Sequence, residues 1–224
     1  MTLLGNTAVA MWWKIEREHL TEFHEWHSKE HLPERMSIPG FRRGSRWQRN
    51  GSNEFFVVYE LESYEILTSD GYLERLNDPT PWSTKMMPLH LDMVRSQCRI
   101  VSSHGGGIAT YMSAIKLSPA PEQSTRLEIE LQSILAGLLL QPGITGAHLL
   151  RTETPTAAPT KEQQIRGGDA VADWILLISG HNAEKLQEVC AGALGPDALR
   201  ASGAAQSETG EPFRLVHVMT SQDV

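Results

Sequence analysis

The stretch Ile38–Gln48, IPGFRRGSRWQ, has a counterpart in the second half of the chain, Gln141–Arg151, QPGITGAHLLR. Each is a Pro-Gly turn that opens a strand candidate. Ahead of the first lies an apolar run, Thr7–Ile15 (TAVAMWWKI), and a helical pattern from about His19 to His31 that Pro33 closes. Behind it come a hairpin turn at Asn50–Asn53, the strand candidate FFVVYELES, a helix over Tyr64–Asn77 broken by DPTPW, and the strand candidate CRIVS. Around the second phrase the order recurs. IATYMSAIKL, a helix over Gln123–Gln141, ITGAHLLRT, DWILLISG, a helix over Asn182–Leu194 reaching toward Arg200, and PFRLVHVMT follow one another. An internal repeat of β-α-β-β-α-β is the economical explanation.

The expected modules are residues 1–105 and 106–224, joined at Gly105–Gly107, with a long polar surface loop over 154–172 in the second. One ferredoxin-like βαββαβ unit leaves a sheet face uncovered; two in one chain can bury these faces together. The nearly continuous apolar runs TAVAMWW, FFVVYEL and DWILLIS agree with strands buried on both sides. The expected fold is therefore α+β, two ferredoxin-like modules fused in one chain and packed sheet to sheet as a pseudo-dimeric α/β barrel.

Composition narrows the function classes. The chain has 224 residues, 20 Lys+Arg against 27 Asp+Glu, and a formal net charge of −7. That balance lacks the positive footprint of a nucleic-acid binder. No uncharged apolar run is long enough to span a membrane. Two cysteines, Cys98 and Cys190, read as packed free thiols, and the start MTLLGNTAVAMWWK lacks a basic region before its apolar stretch. A cytoplasmic protein is expected, with a small molecule as partner, no nucleic acid, no membrane, and a homodimer left open.

The chemistry concentrates in Glu18–Trp47. At 100° per residue, His24, His27 and His31 fall within about 40° of Leu20, whereas Thr21, Glu22, Glu25 and Lys29 occupy the opposite face. Imidazoles on a core-facing stripe need hydrogen-bond partners, a cavity or a metal. The bland alternative has them bonded to nearby carbonyls. His27-Ser28-Lys29-Glu30-His31 also fits H-x-x-E-H, a zinc hydrolase pattern, although no downstream helix supplies an obvious third ligand. Arg42, Arg43 and Arg46 flank the second strand. An inward arginine could bind a carboxylate or phenolate, and an ion pair with Glu30 or Glu34 is the plainer outcome. Six tryptophans read first as core and second as an aromatic cage. Tyr59 alternates with Phe55, Val57 and Leu61, which turns its ring inward. His90, His148 and His217 are isolated and read as satisfied core histidines.

The residues Trp26, His27, Glu30, His31, Leu32, Pro33, Glu34 and Arg35, then Pro39, Gly40, Phe41, Arg46 and Trp47, resemble the signature region of the dimeric α/β-barrel superfamily, particularly its EthD-like branch. Leu76–Pro88, LNDPTPWSTKMMP, resembles a stretch of uncharacterised members. The resemblance covers roughly the first half. It implies ferredoxin-like modules joined into a barrel, in a superfamily of cofactor-free monooxygenases, lactone isomerases, polyketide cyclases and haem enzymes. Gln141–Leu150 lacks the histidine-rich helix end, so any such site is single.

The expected function is a small-molecule enzyme acting on an aromatic, lactone or polyketide-like substrate by isomerisation, cofactor-free oxygenation or ring cleavage. His27, His31 and Arg46 are the catalytic candidates, His27 or His31 as general base and Arg46 as stabiliser of an enolate or carboxylate. Trp12, His24, Trp47 and Tyr59 are the substrate-binding candidates. No cofactor and no metal is expected. The alternatives are a non-catalytic ligand-binding or accessory protein, and a haem- or metal-dependent member of the same fold.

Overall fold

The computed structural model describes residues 3–155 and 158–224. The chain is α+β and divides into two compact units. One comprises Leu4–Cys98, Glu153–Val171 and Val216–Val224; the other comprises Arg99–Thr152 and Ala172–Leu215 together with Leu3. Both have the ferredoxin-like order that the repeat predicts. Among the described residues no helix is long and apolar enough to cross a membrane.

In the first unit, β1 (Thr7–Lys14) leads through a 3-10 turn into α1 (Leu20–Trp26), a π-helical turn (His27–His31) and α2 (Leu32–Met36). Then come β2 (Phe41–Arg49), β3 (Glu54–Leu61), α3 (Asp70–Asn77), α4 (Pro81–Met86) and β4 (Leu91–Gly105), whose first half belongs here. The strand order is β4-β1-β3-β2. Antiparallel register sets Val9 opposite Tyr59, Met11 opposite Val57 and Trp13 opposite Phe55, and Gly44 opposite Tyr59 and Arg46 opposite Val57. Because successive side chains alternate, these residues share one sheet face. That face and the helices enclose the core, including Phe23, Trp26, Leu32, Met36, Phe55 and Val57. Burying each such large side chain stabilises the unit by roughly 1.5–3 kcal/mol.

The chain continues with β5 (Tyr111–Pro119), α5 (Ser124–Leu138), β6 (Ile144–Thr152), α6 (Lys161–Arg166, part of the first unit), β7 (Trp174–Gly180), α7 (Ala183–Ala191), α8 (Pro196–Ser202), β8 (Ala204–Glu208) and β9 (Phe213–Thr220, of which Val216–Thr220 belong to the first unit); the others form the second unit. Its order is β6-β7-β5-β8. Leu127, Leu131, Leu135 and Leu138 of α5 recur at helical spacing and are buried against it. As the apolar runs predict, β7 is buried along its whole length, and β1 and β3 nearly so.

Four local readings change. Pro33 does not close the first helix, which continues to Met36. The Leu32 N–H bonds to the His27 carbonyl five residues back, so the turn is already widened where the proline ring would clash with a carbonyl. DPTPW both breaks one helix and starts the next, with Thr80 accepting from the Ser83 N–H (2.9 Å) and Pro81 in the first turn. The helix over Tyr64–Asn77 is two pieces, because Ser69 caps α3. The stretch expected as a loop contains α6, where Thr160 and Gln163 form a capping box; residues 156 and 157 of it lie outside the described residues. Strand β8, which adds an edge to β5, carries no apolar alternation and was not expected.

Candidate active site

The first helix brings His27 and His31 against the sheet, as its periodicity predicts. His27 is 1% exposed and His31 8%. Trp26, between the two faces, stacks on the His31 ring at 4.6 Å between centroids and donates its indole N–H to Ser83 Oγ at 3.2 Å. Trp13 and Phe23 pack on the His27 ring at 6.0 and 5.5 Å. Gly44 makes this approach possible, since a Cβ there would lie 2.5 Å from a Leu32 methyl and 3.0 Å from the Tyr59 ring. Helix α4 fixes the other flank. Glu30 accepts from the Thr80 and Ser83 hydroxyls, and Glu22 accepts from Trp82 and Lys85.

A cavity of about 30 Å³ lies between this helix and the sheet. His27, His31 and Tyr59 line it, with Trp13, Arg35, Tyr72, His90, Arg95, Glu162 and Arg166. Neither ring nitrogen of His27 has a hydrogen-bond partner, nor has Nδ1 of His31, nor the Tyr59 hydroxyl. Buried polar atoms are rarely left so. Burial, followed by the Arg46 charge, holds His27 well below the usual imidazole range. Burial and then Arg35 do the same for His31. Both are neutral at pH 7. Burial raises the Tyr59 hydroxyl well above the usual phenol range.

His90 is the third imidazole. Its Nδ1 lies 3.1 and 3.2 Å from the carbonyls of Met86 and Met87. Two acceptors require Nδ1 to carry the proton, which leaves Nε2 with the lone pair. Burial depresses its pKa to about 4. One wall is charged but largely compensated. Arg35 pairs with Glu162 of α6 and lies 3.4 Å from Glu34. Arg166 binds Asp169 through Nε and Nη2, at 2.9 and 2.8 Å.

The other candidates stand apart from this cavity. Arg46 shares the helix-facing side of β2 but is not among the lining residues. Its Nη2 donates to Ser28 Oγ at 2.9 Å, its Nε and Nη1 have no partner, and its guanidinium sits 5.5 Å from the Phe23 ring centre. Burial lowers its pKa to about 10. The plainer outcome, an ion pair with Glu30 or Glu34, does not form; Arg42 and Arg43 pair instead with Glu62 and Glu60. His24 is half-buried, packed on Phe23 and Phe55, and burial followed by the Arg46 charge lowers its pKa. Trp12 and Trp47 lie on the opposite sheet face, both against Phe56, at 4.8 and 5.7 Å. The structure therefore brings His27, His31 and Tyr59 together and leaves Trp12 and Trp47 elsewhere.

Of the remaining histidines, His148 bonds Ser103 Oγ at 2.8 Å in the second unit. His217 of β9 is half-buried with Nδ1 unpartnered, and burial followed by the Arg46 charge lowers its pKa. Both cysteines are buried, and neither forms a disulfide. The zinc pattern is not assembled. Glu30 is tied to Thr80 and Ser83, and among the described residues the only group with three ligand atoms close enough for one ion is Glu16, Glu18 and His19, at the surface.

Sequence reasoning missed His90, Arg95, Arg35, Tyr72 and Glu162. Arg35 had a signal, the next fourth-residue step after His27 and His31. Arg95 alternates with the buried Met93, so its placement inward was legible once Leu91 began a strand.

No protein-family model matches the chain, and no curated protein does. Solved structures with the same fold are found. An anthrone oxidase-like protein aligns with a TM-score of 0.68 at 13% identity, over 96% of this chain and 93% of that one. A protein assigned as a monooxygenase from Fusobacterium nucleatum subsp. nucleatum aligns at 0.62 and 7% identity, over 96% and 95%. A major regulator of staphylococcal pathogenesis aligns at 0.51 and 9%, over 94% and 99%. At these identities the likeness is one of fold. It agrees with ferredoxin-like units of the dimeric α/β-barrel type, and the narrower EthD-like branch rests on the sequence resemblance alone.

Proposed function

We propose that the first unit is a small-molecule enzyme in which a neutral buried histidine, His31 or His27, removes a proton from an aromatic, lactone or polyketide-like substrate. The enolate or phenolate so formed leads to isomerisation, ring cleavage, or oxygenation by dioxygen without a cofactor. The observation that carries this reading is the set of unpartnered nitrogens on His27 and His31 at the cavity. An imidazole held below its usual pKa stays unprotonated at pH 7 and is available as a base. Arg46 is a positioning residue here. It holds Ser28, and its charge disfavours an imidazolium at His27. His24 belongs to that supporting group. Trp12 and Trp47, as substrate-binding residues, would have to act from the far face of the sheet. The names of two solved neighbours, an anthrone oxidase-like protein and an assigned monooxygenase, are compatible with the oxygenation branch.

One observation favours the second reading, a binding or accessory protein without turnover. The cavity holds about two waters, so an aromatic substrate enters only if a wall moves. One of the neighbours of this fold is named as a regulator, which is compatible with this reading. A thermal-shift screen of small aromatic acids and lactones finds ligands, since binding to the native state must raise its stability. Oxygen uptake with an anthrone, and product analysis with each hit, then test turnover. His27→Gln and His31→Gln are expected to reduce kcat by about 10²–10⁴-fold while the fold persists. Full turnover by both folded variants overturns the assignment.

A further inference from the structure

We propose that Arg95 is the oxyanion-binding residue of this cavity, taking a planar oxyanion, a carboxylate or an enolate oxygen, that enters together with a proton. The proposal deepens the reading of His27 and His31 as proton acceptors and rests on it for the proton's destination. Three arginines line the cavity, and two are answered by carboxylates, Arg35 by Glu162 and Arg166 by Asp169. Arg95 is not. It is 9% exposed, no carboxylate among the described residues pairs with it, and its one side-chain hydrogen bond goes from Nη2 to the Tyr72 hydroxyl oxygen at 2.6 Å. A buried guanidinium without a counter-ion is costly, and an anion offsets that cost.

The surrounding groups agree on what the anion must be. Tyr72 accepts from Arg95, so its O–H remains free to donate, and the Tyr59 O–H has no acceptor. With the guanidinium they form a set of donors, which suits the in-plane lone pairs of a carboxylate or enolate. The imidazoles supply the opposite half. His90 presents an Nε2 lone pair, because its Nδ1–H is committed to two carbonyls. A bare anion would face these lone pairs unfavourably. An anion accompanied by one proton on an imidazole meets an N–H where one of these lone pairs stood. The same pair, oxyanion and imidazolium, is what proton removal from a substrate generates in place.

Titration calorimetry with formate as the carboxylate probe and acetylacetone as the enolate probe tests this without turnover. At least one is expected to bind saturably: formate, already ionised at pH 7, with uptake of about one proton seen as a dependence of the heat on buffer ionisation, and acetylacetone, which enters neutral and passes its own proton to an imidazole, with no net uptake. Arg95→Met is expected to weaken that binding at least tenfold, and Arg95→Lys to restore part of it. The tighter probe identifies the oxyanion's source. Should Arg95→Met not fold, the wild-type Arg95 Nε–H resonance, which must shift on titration, gives the same information. No saturable binding of either probe, unchanged affinity in Arg95→Met, or formate binding without proton uptake overturns the proposal. If His31→Gln abolishes turnover while anion binding fails, the base assignment stands and the Arg95 assignment alone falls.

Discussion

A histidine whose Nδ1–H is held by two carbonyls can gain a second proton only at Nε2, inside the cavity. His90 resists this, and its pKa is lowered to about 4 by burial, with Arg166 adding to the effect. The consequence for stability has a definite sign. At pH 7 both folded and unfolded chains carry neutral His90. As the pH falls below about 6.5 the unfolded chain takes up a proton that the folded one refuses, so stability falls until about pH 4. The shift corresponds to a loss of about 3 kcal/mol from this residue. His27 and His31 act in the same direction. Urea unfolding at pH 7.5 and pH 5 is expected to show the drop, and His90→Gln to make it shallower. Turnover has the complementary profile. A base that stays neutral well below pH 6.5 gives a rate that is flat from there upward, and a midpoint at 6.5 or above would contradict the burial that sets these histidines.

At the scale of elements, the sequence pattern resolved what periodicity controls and missed what apposition controls. The histidine stripe, the alternation around Tyr59 and the Pro-Gly turns follow from local spacing, and the structure places them accordingly. Arg35 was hidden because Pro33 read as a stop; the π-helical turn let the helix pass it. Glu162 could not be foreseen beside Arg35, since a polar, Pro- and Gly-flanked stretch carries no sign of what it will cover. That contact is now testable. Side chains of both residues are 3–4% exposed, and removing one charge of a buried pair typically costs about 3–5 kcal/mol. Glu162→Gln is expected to lower the Tm by several degrees and to speed amide exchange over residues 161–170, while distant amides change little. The π-helical turn holds one residue more than an α-helical path needs. Deleting Lys29, exposed on its outer side, is expected to restore an α-helical turn in which His31 comes only three residues after His27 and the Pro33 ring meets a carbonyl. Loss of the His27–His31 ring contact, 5.4 Å between centroids, would be read as a changed pair of imidazole resonances.

At the scale of the molecule, the histidine-lined cavity belongs to the first of two units of one topology. In the second unit the helix ahead of the Pro-Gly turn buries leucines instead of imidazoles, and the strand after it holds His148 on Ser103. His148→Phe is therefore expected to destabilise that unit, by the loss of a buried hydrogen bond worth about 1 kcal/mol plus any misfit, and to leave formate or acetylacetone binding unchanged. Weakened anion binding in this variant would show that the units do not act separately. The domain limits 1–105 and 106–224 remain a proposal about ancestry.

The first compact unit gathers its chain from three separate stretches, and this sets a timetable. Arg35 and Glu162 are 127 residues apart. On a ribosome adding about 5–20 residues per second, the arginine waits roughly 6 to 25 seconds for its counter-ion. Until then the nascent chain holds a guanidinium and several imidazoles behind an unfinished wall, in a segment otherwise apolar enough to collapse. The interval during which this protein is most exposed to misassembly thus falls in the middle of its synthesis, and it ends when the Glu153–Val171 segment arrives.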